Sequence, residues 1–248
     1  MTDLSFTLDT LTPKRLGLVV LQTDETIEQD FRRLLPSDVS LHVSRIPSGT
    51  EVTRATLKKM EAHLTASASL FPRAVEFDAT GYACTSAASV IGPARVAELV
   101  ASGTKTRAVT DPVTSLVAAC RALGLSRIAL LSPYVAEVSD RLRRVLAENG
   151  IETPAFGSFN IADDATVVRI SGASIKDAAL RLVNQQEVDA IFLSCTNLRT
   201  LDLIEELEAA IGKPVLSSNQ VLAWHMCGLA DAGDLPGWAG ALAEVTVR

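Results

Sequence analysis

Gly81-Tyr82-Ala83-Cys84-Thr85-Ser86 and Leu193-Ser194-Cys195-Thr196-Asn197 carry the clearest chemistry in this 248-residue chain. Each ends an apolar run that reads as a strand, and each precedes a helical pattern. Both therefore set a Cys-Thr pair at the carboxyl end of a strand, almost half the chain apart. Two thiols presented alike by two halves can face each other across one small ligand. That arrangement suits a reaction needing a nucleophile or base on each face of its substrate.

The other two cysteines, Cys120 and Cys227, lie inside helical patterns and read as small buried hydrophobes. No CxxC pair or zinc spacing is present. His42, His63 and His225 read as structural or surface residues, with no His/Asp cluster for a metal. No GxGxxG phosphate loop is found, which disfavours a nucleotide enzyme. Glu205, Glu206 and Glu208 read as a solvated helix face, and Arg32 and Arg33 as surface residues.

The elements that must position the two thiols alternate along the chain. Strand runs are read at 16–21, 39–46, 77–83, 107–110, 127–131, 151–159, 190–193 and 214–217. Helices are read at 26–35, 53–70, 93–102, 113–123, 135–149, 174–186, 198–211 and 219–229. Ser174 is expected to cap the sixth of these. Strands alternating with helices of 10–15 residues imply right-handed βαβ units and parallel sheets. The near-continuous apolar strands imply sheets covered on both faces. In such sheets ligands bind beyond the carboxyl ends of the strands. Those ends are Gln22-Thr23-Asp24, Cys84-Thr85-Ser86, Ser132-Pro133-Tyr134, Cys195-Thr196-Asn197 and Ser217-Ser218-Asn219. Helix N-termini there can bind an anion and favour a thiolate over a thiol.

Composition narrows the function further. Hydrophobic residues make up 48% and charged residues 21%, as in an ordinary globular protein, and the formal charge is −6. No basic stripe points to nucleic acid. No apolar run approaches the roughly 20 residues that span a bilayer. Residues 1–13 are polar and lack a signal-peptide pattern. The expected setting is the cytoplasm, with reduced cysteines.

The motifs GYACTSAASVIG and FLSCTNLRT, with SSNQVLAWH downstream, resemble the aspartate/glutamate racemase superfamily. They are most similar to its maleate cis–trans isomerase and arylmalonate decarboxylase branch. The opening GLVVLQTDETIEQDFRRLLP looks, more narrowly, like the ectoine-utilization protein A type. The resemblance runs from about Gly17 to Gly228. It implies two pseudo-twofold-related flavodoxin-like α/β domains, each a four-stranded parallel sheet flanked by helices, with the ligand between them and no cofactor. The expected division is 1–114 with 218–248, carrying Cys84, and 115–217, carrying Cys195. By the same resemblance Cys84 and Cys195 are the catalytic pair. Thr85, Ser86, Thr196 and Asn197 fall among the carboxylate-binding groups, and Tyr134 matches a tyrosine that reaches the ligand. Racemases of this kind use one thiol as base and the other as acid. Maleate isomerases add the first thiolate to the double bond so that the C–C bond can rotate. Decarboxylases have glycine at the first position, and Cys84 argues against that chemistry.

Two departures bear on the substrate. Where maleate isomerases carry an Asn after the first strand, this chain has Asp24. A second family Asn corresponds to Asp163-Asp164. Asn can donate to a substrate carboxylate, whereas an ionised Asp only accepts. Asp24 and Asp164 are thus expected to bind a substrate whose far end carries nitrogen. Asp24 is equally placed to cap the first helix. The expected function is a cofactor-independent two-cysteine isomerase or racemase. Its substrate is a small carboxylate: an amino-acid derivative, with ectoine catabolism in view, or a maleate-like diacid. The alternative is a non-catalytic carboxylate-binding or regulatory protein on the same fold. The expected partners are the small carboxylate and further copies of the chain in a homo-oligomer, with neither nucleic acid nor membrane.

Overall fold

The structure is a computed structural model, and it describes residues 3–8, 13–233, 238 and 240–247. Part of the polar opening stretch (1, 2 and 9–12) therefore lies outside the described residues. The first sheet holds β1 (Arg15–Leu21), β2 (Ser40–Ile46), β3 (Ala79–Ala83) and β4 (Val109–Thr110), in the order β2-β1-β3-β4. The second holds β5 (Arg127–Tyr134), β6 (Glu152–Ile161), β7 (Ala190–Leu193) and β8 (Val215–Ser217), in the order β6-β5-β7-β8. All pairings are parallel, so the two sheets repeat one topology.

The helices in chain order are α1 (Ile27–Leu34), α2 (Arg54–Lys59), α3 (Leu64–Ala68), α4 (Thr85–Ile91), α5 (Pro93–Gly103) and α6 (Pro112–Leu123). They continue as α7 (Ala136–Glu148), α8 (Asp164–Val167), α9 (Gly172–Val183), α10 (Ile204–Ile211) and α11 (Ser218–Ala230). None of the described helices is long and apolar enough to cross a membrane.

The apolar strands are covered on both faces. Along β1, Leu16, Leu18 and Val20 join a core with Ile27 and Phe31 of α1 and Leu222 and Met226 of α11. Val19 and Leu21 point the other way, into the larger core that runs on through the second sheet. That split is the period-two alternation of a strand expressed as two apolar faces. Helix α11 follows β8 yet packs on α6, β3 and α1. It lies so close to β3 that a Cβ added at Gly81 would sit 2.5 Å from the Met226 sulfur.

Several local expectations are corrected. The segment read as one helix over 53–70 breaks into α2, a 3₁₀ turn at Met60–His63 and α3, although Thr53 caps its start. The cap of α9 is Ser171 rather than Ser174; its hydroxyl accepts from the Ser174 amide. Helix α10 begins only at Ile204, after a 3₁₀ turn at Leu201–Leu203, so no helix starts directly behind Cys195. Ser132, Pro133 and Tyr134 belong to β5 itself rather than to the loop beyond it.

Candidate active site

One cleft at the carboxyl ends of the strands is lined by Leu21, Asp24, Cys84, Thr85, Ser86, Tyr134, Asp164, Cys195, Thr196 and Asn197. All nine residues singled out in the sequence meet there. The lining holds two carboxylates and two thiols, and no Lys, Arg or His. Among the described residues no His/Cys/Asp/Glu group is arranged to hold a metal ion.

The two thiols are mounted differently. Cys84 ends β3 in an extended conformation and caps α4, its sulfur accepting from the Ala87 N–H at 3.3 Å. Cys195 follows β7 in an isolated turn, with φ of 133°, in the region that favours glycine. Its sulfur accepts from the Asn197 N–H at 3.3 Å and contacts the Tyr134 hydroxyl at 3.0 Å. Its own N–H donates to Ser218 Oγ at 2.9 Å, and that hydroxyl pairs with Thr85 Oγ1 at 2.8 Å. Ser218, at the start of α11, thus ties the two Cys-Thr motifs together. The positive φ of a non-glycine residue stores on the order of 1–3 kcal/mol. Cys195→Gly is therefore expected to be at least as stable as Cys195→Ala, reversing the usual glycine cost of about 0.5–1 kcal/mol. Urea unfolding of the two variants side by side checks this.

The expected preference for thiolates at rest is overturned. Burial pushes the Cys84 thiol up to about 12, against the opposing pull of the Ala87 N–H. Burial drives Cys195 well above its usual value too, and the charge of Asp164 adds to the rise. A helix N-terminus contributes a fraction of a charge, and only Cys84 has one; removing a sulfur anion from water costs more.

The carboxylates are held from both halves of the chain. Asp24 Oδ1 accepts from the N–H groups of Thr26 and Ile27 at 2.8 and 2.9 Å, so it does serve the start of α1. Its Oδ2 is buried without a hydrogen-bond partner. The Thr196 hydroxyl, close enough to pull the Asp24 pKa down, donates instead to the Ala83 carbonyl at 3.4 Å. Burial nonetheless raises Asp24 overall. Asp164 accepts from the hydroxyls of Tyr134 and Thr23, each at 2.6 Å. The Asn197 amide is engaged at both ends: Oδ1 accepts from Glu25 N–H at 2.9 Å, and Nδ2 donates to the Asp164 carbonyl at 3.1 Å.

With the Val52 N–H bonded to the Ala162 carbonyl at 2.7 Å, these contacts close the cleft. The space left is about 10 Å³, room for about one water. A four-carbon molecule does not fit in that space. A larger hollow of about 710 Å³ lies elsewhere, among α6, α11 and residues 244–247, and contains neither thiol. His225 lines it; burial pushes its pKa down to about 4, and Nδ1 pairs with the Thr110 hydroxyl at 2.8 Å.

Two supporting residues escaped the sequence reading. Ser218 stood among the strand-end residues without a role. Asp30, in α1, drew no reading from the sequence. It is buried, and it accepts from Asn219 Nδ2 at 2.8 Å while the same amide donates to the Thr196 carbonyl at 2.8 Å. Asp30 thereby braces the Cys195 turn from across the molecule. Burial raises its pKa from 3.8 to about 6, against the opposing pull of Asn219. The acid is then protonated in the native state and ionised in the unfolded chain between those values. Its burden on stability is absent below pH 3.8 and grows as pH rises to about 6. Asp30→Asn is expected to match wild type near pH 3.5 and to exceed it by about 2–3 kcal/mol at pH 8, at 1.36 kcal/mol per unit. Chemical denaturation across that range checks the sign.

Comparison with known proteins places the chain among related enzymes. A family model described as arylmalonate decarboxylase matches residues 94–242. Maleate isomerase of Nocardia farcinica is 29% identical over 223 residues, covering 83% of this chain and 85% of that protein. Arylmalonate decarboxylase of Bordetella bronchiseptica is 34% identical over 125 residues, half of this chain and 52% of that one. A solved structure of a mutant Nocardia farcinica maleate cis–trans isomerase with a covalently bound succinylcysteine intermediate superposes with a TM-score of 0.80. It is 28% identical and covers 93% of this chain and 98% of that one.

Proposed function

Because the chain belongs to the arylmalonate decarboxylase family, we propose that it is a two-thiol isomerase or racemase acting on a small carboxylate. The observation that carries this reading is the meeting of Cys84 and Cys195 in one closed cleft. A decarboxylase of the pattern described above has glycine at the first position, whereas this chain has a thiol there. The succinylcysteine of the Nocardia farcinica mutant supports covalent use of a cysteine in a relative of this fold.

Two reaction courses use such a pair. In one, a thiolate adds to a C=C bond, the resulting single bond rotates, and the thiolate leaves. In the other, one thiol removes a proton from Cα and the other returns one on the opposite face. In both, the N–H groups at the start of α4 and the hydroxyls of Thr85, Ser86 and Thr196 receive the substrate carboxylate as the cleft opens and recloses.

The other end of the substrate carries nitrogen. The lining offers no cation, and Asp24 Oδ2 is an unpartnered acceptor in a buried site. An ammonium or amide N–H would satisfy it, whereas a second carboxylate would be repelled. Amino-acid derivatives, including those of ectoine breakdown, fit this description better than maleate.

NMR in deuterated water over a panel of amino acids, their acylated forms and unsaturated diacids tests the reading. Deuterium entering at Cα identifies racemisation. Geometric isomerisation without exchange identifies thiol addition. If the protein binds panel members and converts none, it is a carboxylate-binding protein on this fold.

A further inference from the structure

We propose that Tyr134 and Asp164 form a proton relay for Cys195, and that this makes Cys195 the thiol that gives up and takes back a proton inside the closed cleft. The inference rests on the two-thiol reading above and adds a division of labour to it. The phenol lies 3.0 Å from the Cys195 sulfur and 2.6 Å from Asp164 Oδ1. A phenol has one proton, and here it is donated to the carboxylate, so its oxygen is free to accept from the thiol. The hydrogen bonds then run in one direction, from S–H to phenol to carboxylate. Thr23, donating to Asp164 Oδ2 at 2.6 Å, holds the carboxylate in register. Cys84 has no counterpart: its sulfur accepts from the Ala87 N–H, with the Ser86 N–H beside it, and neither donor can take a proton.

The step balances without any further reagent. The Cys195 S–H bond breaks, and its proton forms a new O–H bond on Tyr134. The original phenol proton passes to Asp164 Oδ1. A neutral thiol and a carboxylate become a thiolate and a carboxylic acid, with the phenol unchanged. The reverse transfer restores the thiol. One negative charge is relocated and none is added. In a buried site that distinction decides the outcome, because losing the proton to solvent would leave sulfur anion and carboxylate facing each other. The other titratable groups bearing on Cys195 and Asp164 are Asp24 and Cys84, and no cation lines the cleft.

Alkylation by iodoacetamide, followed by mass spectrometry of the separate Cys84 and Cys195 peptides, reads the relay without any substrate. Wild-type Cys195 is expected to react at pH 7, with a rate that climbs less than tenfold per pH unit. Tyr134→Phe keeps the shape and the carboxylate and removes the relay. Its Cys195 rate is expected to fall roughly tenfold at pH 7 and then to track hydroxide concentration, while Cys84 changes less than about twofold. Asp164→Asn gives the sharper result. If Asp164 acts only as a charge, its removal relieves repulsion and Cys195 reacts faster. If it takes the proton through Tyr134, Cys195 reacts more slowly. Circular dichroism establishes that each variant is folded, and Tyr134→Phe alone decides if Asp164→Asn is not. An unreactive wild-type Cys195 at pH 7, a Cys195 in Tyr134→Phe that reacts as in wild type, or a faster Cys195 in folded Asp164→Asn overturns the proposal. A protein that converts nothing in the substrate panel yet shows these alkylation rates would refute the enzymatic reading and leave the relay standing.

Discussion

Cys84→Ala and Cys195→Ala will each remove turnover while leaving the fold in place. In the proposed two-thiol mechanism each sulfur has its own task on one face of the substrate, so neither can cover for the other. A positioned acid or base contributes about 10²–10⁴-fold, and loss of a covalent nucleophile costs at least as much. The structural penalty is small by comparison. Cys84→Ala deletes one sulfur atom and a weak cap on α4, for about 1–2 kcal/mol at most. That corresponds to a fall of roughly 2–8 °C in melting temperature for a chain of this size. Cys195→Ala leaves the φ of 133° as it is, and frees the Asn197 N–H. Steady-state turnover on the substrate found by the panel, measured beside a thermal melt, separates the two effects. Near-normal turnover by either variant would refute the two-thiol mechanism.

Asp24→Asn will invert the charge preference of the cleft. The substitution keeps an Oδ1 acceptor for the Thr26 and Ile27 N–H groups, so the start of α1 stays capped. At the buried, unpartnered Oδ2 position it replaces an acceptor by an NH₂ donor. A diacid such as maleate should then bind at least tenfold more tightly. The like-charge contact it escapes is of the order of 4 kcal/mol at 4 Å for an effective dielectric of 20. A ligand that donates N–H to Asp24 should weaken by a similar factor. Calorimetric titration of both proteins with maleate and with the nitrogen-bearing ligands measures the two changes. Unchanged affinity for both classes would leave Asp24 as a helix cap and remove the argument that the substrate carries nitrogen.

The strands and the strand ends were legible because their signals are local. Leu16 to Leu21 and Ala190 to Leu193 are short apolar runs that match β1 and β7 within a residue. Parallel pairing then dictates that Asp24 and Cys84 gather at the carboxyl edge of the first sheet, and Tyr134 and Cys195 at that of the second. The motif Cys84-Thr85-Ser86 also declared its own helix, since α4 begins at Thr85. By contrast, the pattern 53–70 reads as one amphipathic helix, yet it breaks where Met60 turns into the larger core. Likewise, 198–211 has helical spacing throughout, but Asn197 and Thr200 are drawn into long-range bonds and burial before α10 can start.

Residue type and order alone determined which groups meet: two thiols, two carboxylates, a phenol and a set of hydroxyls. Tertiary structure decided what state those groups are in. Nothing near Cys195 in sequence announces a positive φ, because Ser218 and Tyr134 impose that turn from 23 and 61 residues away. The helix-end argument for thiolates failed for the same kind of reason. A helix terminus is a local feature that can be read from the chain, whereas desolvation depends on every element packed over the site. Asp30 shows this most simply. On the helical wheel it is an ordinary charge, and only when α1 meets α11 does it become a buried acid bracing the Cys195 turn from the far end of the sequence.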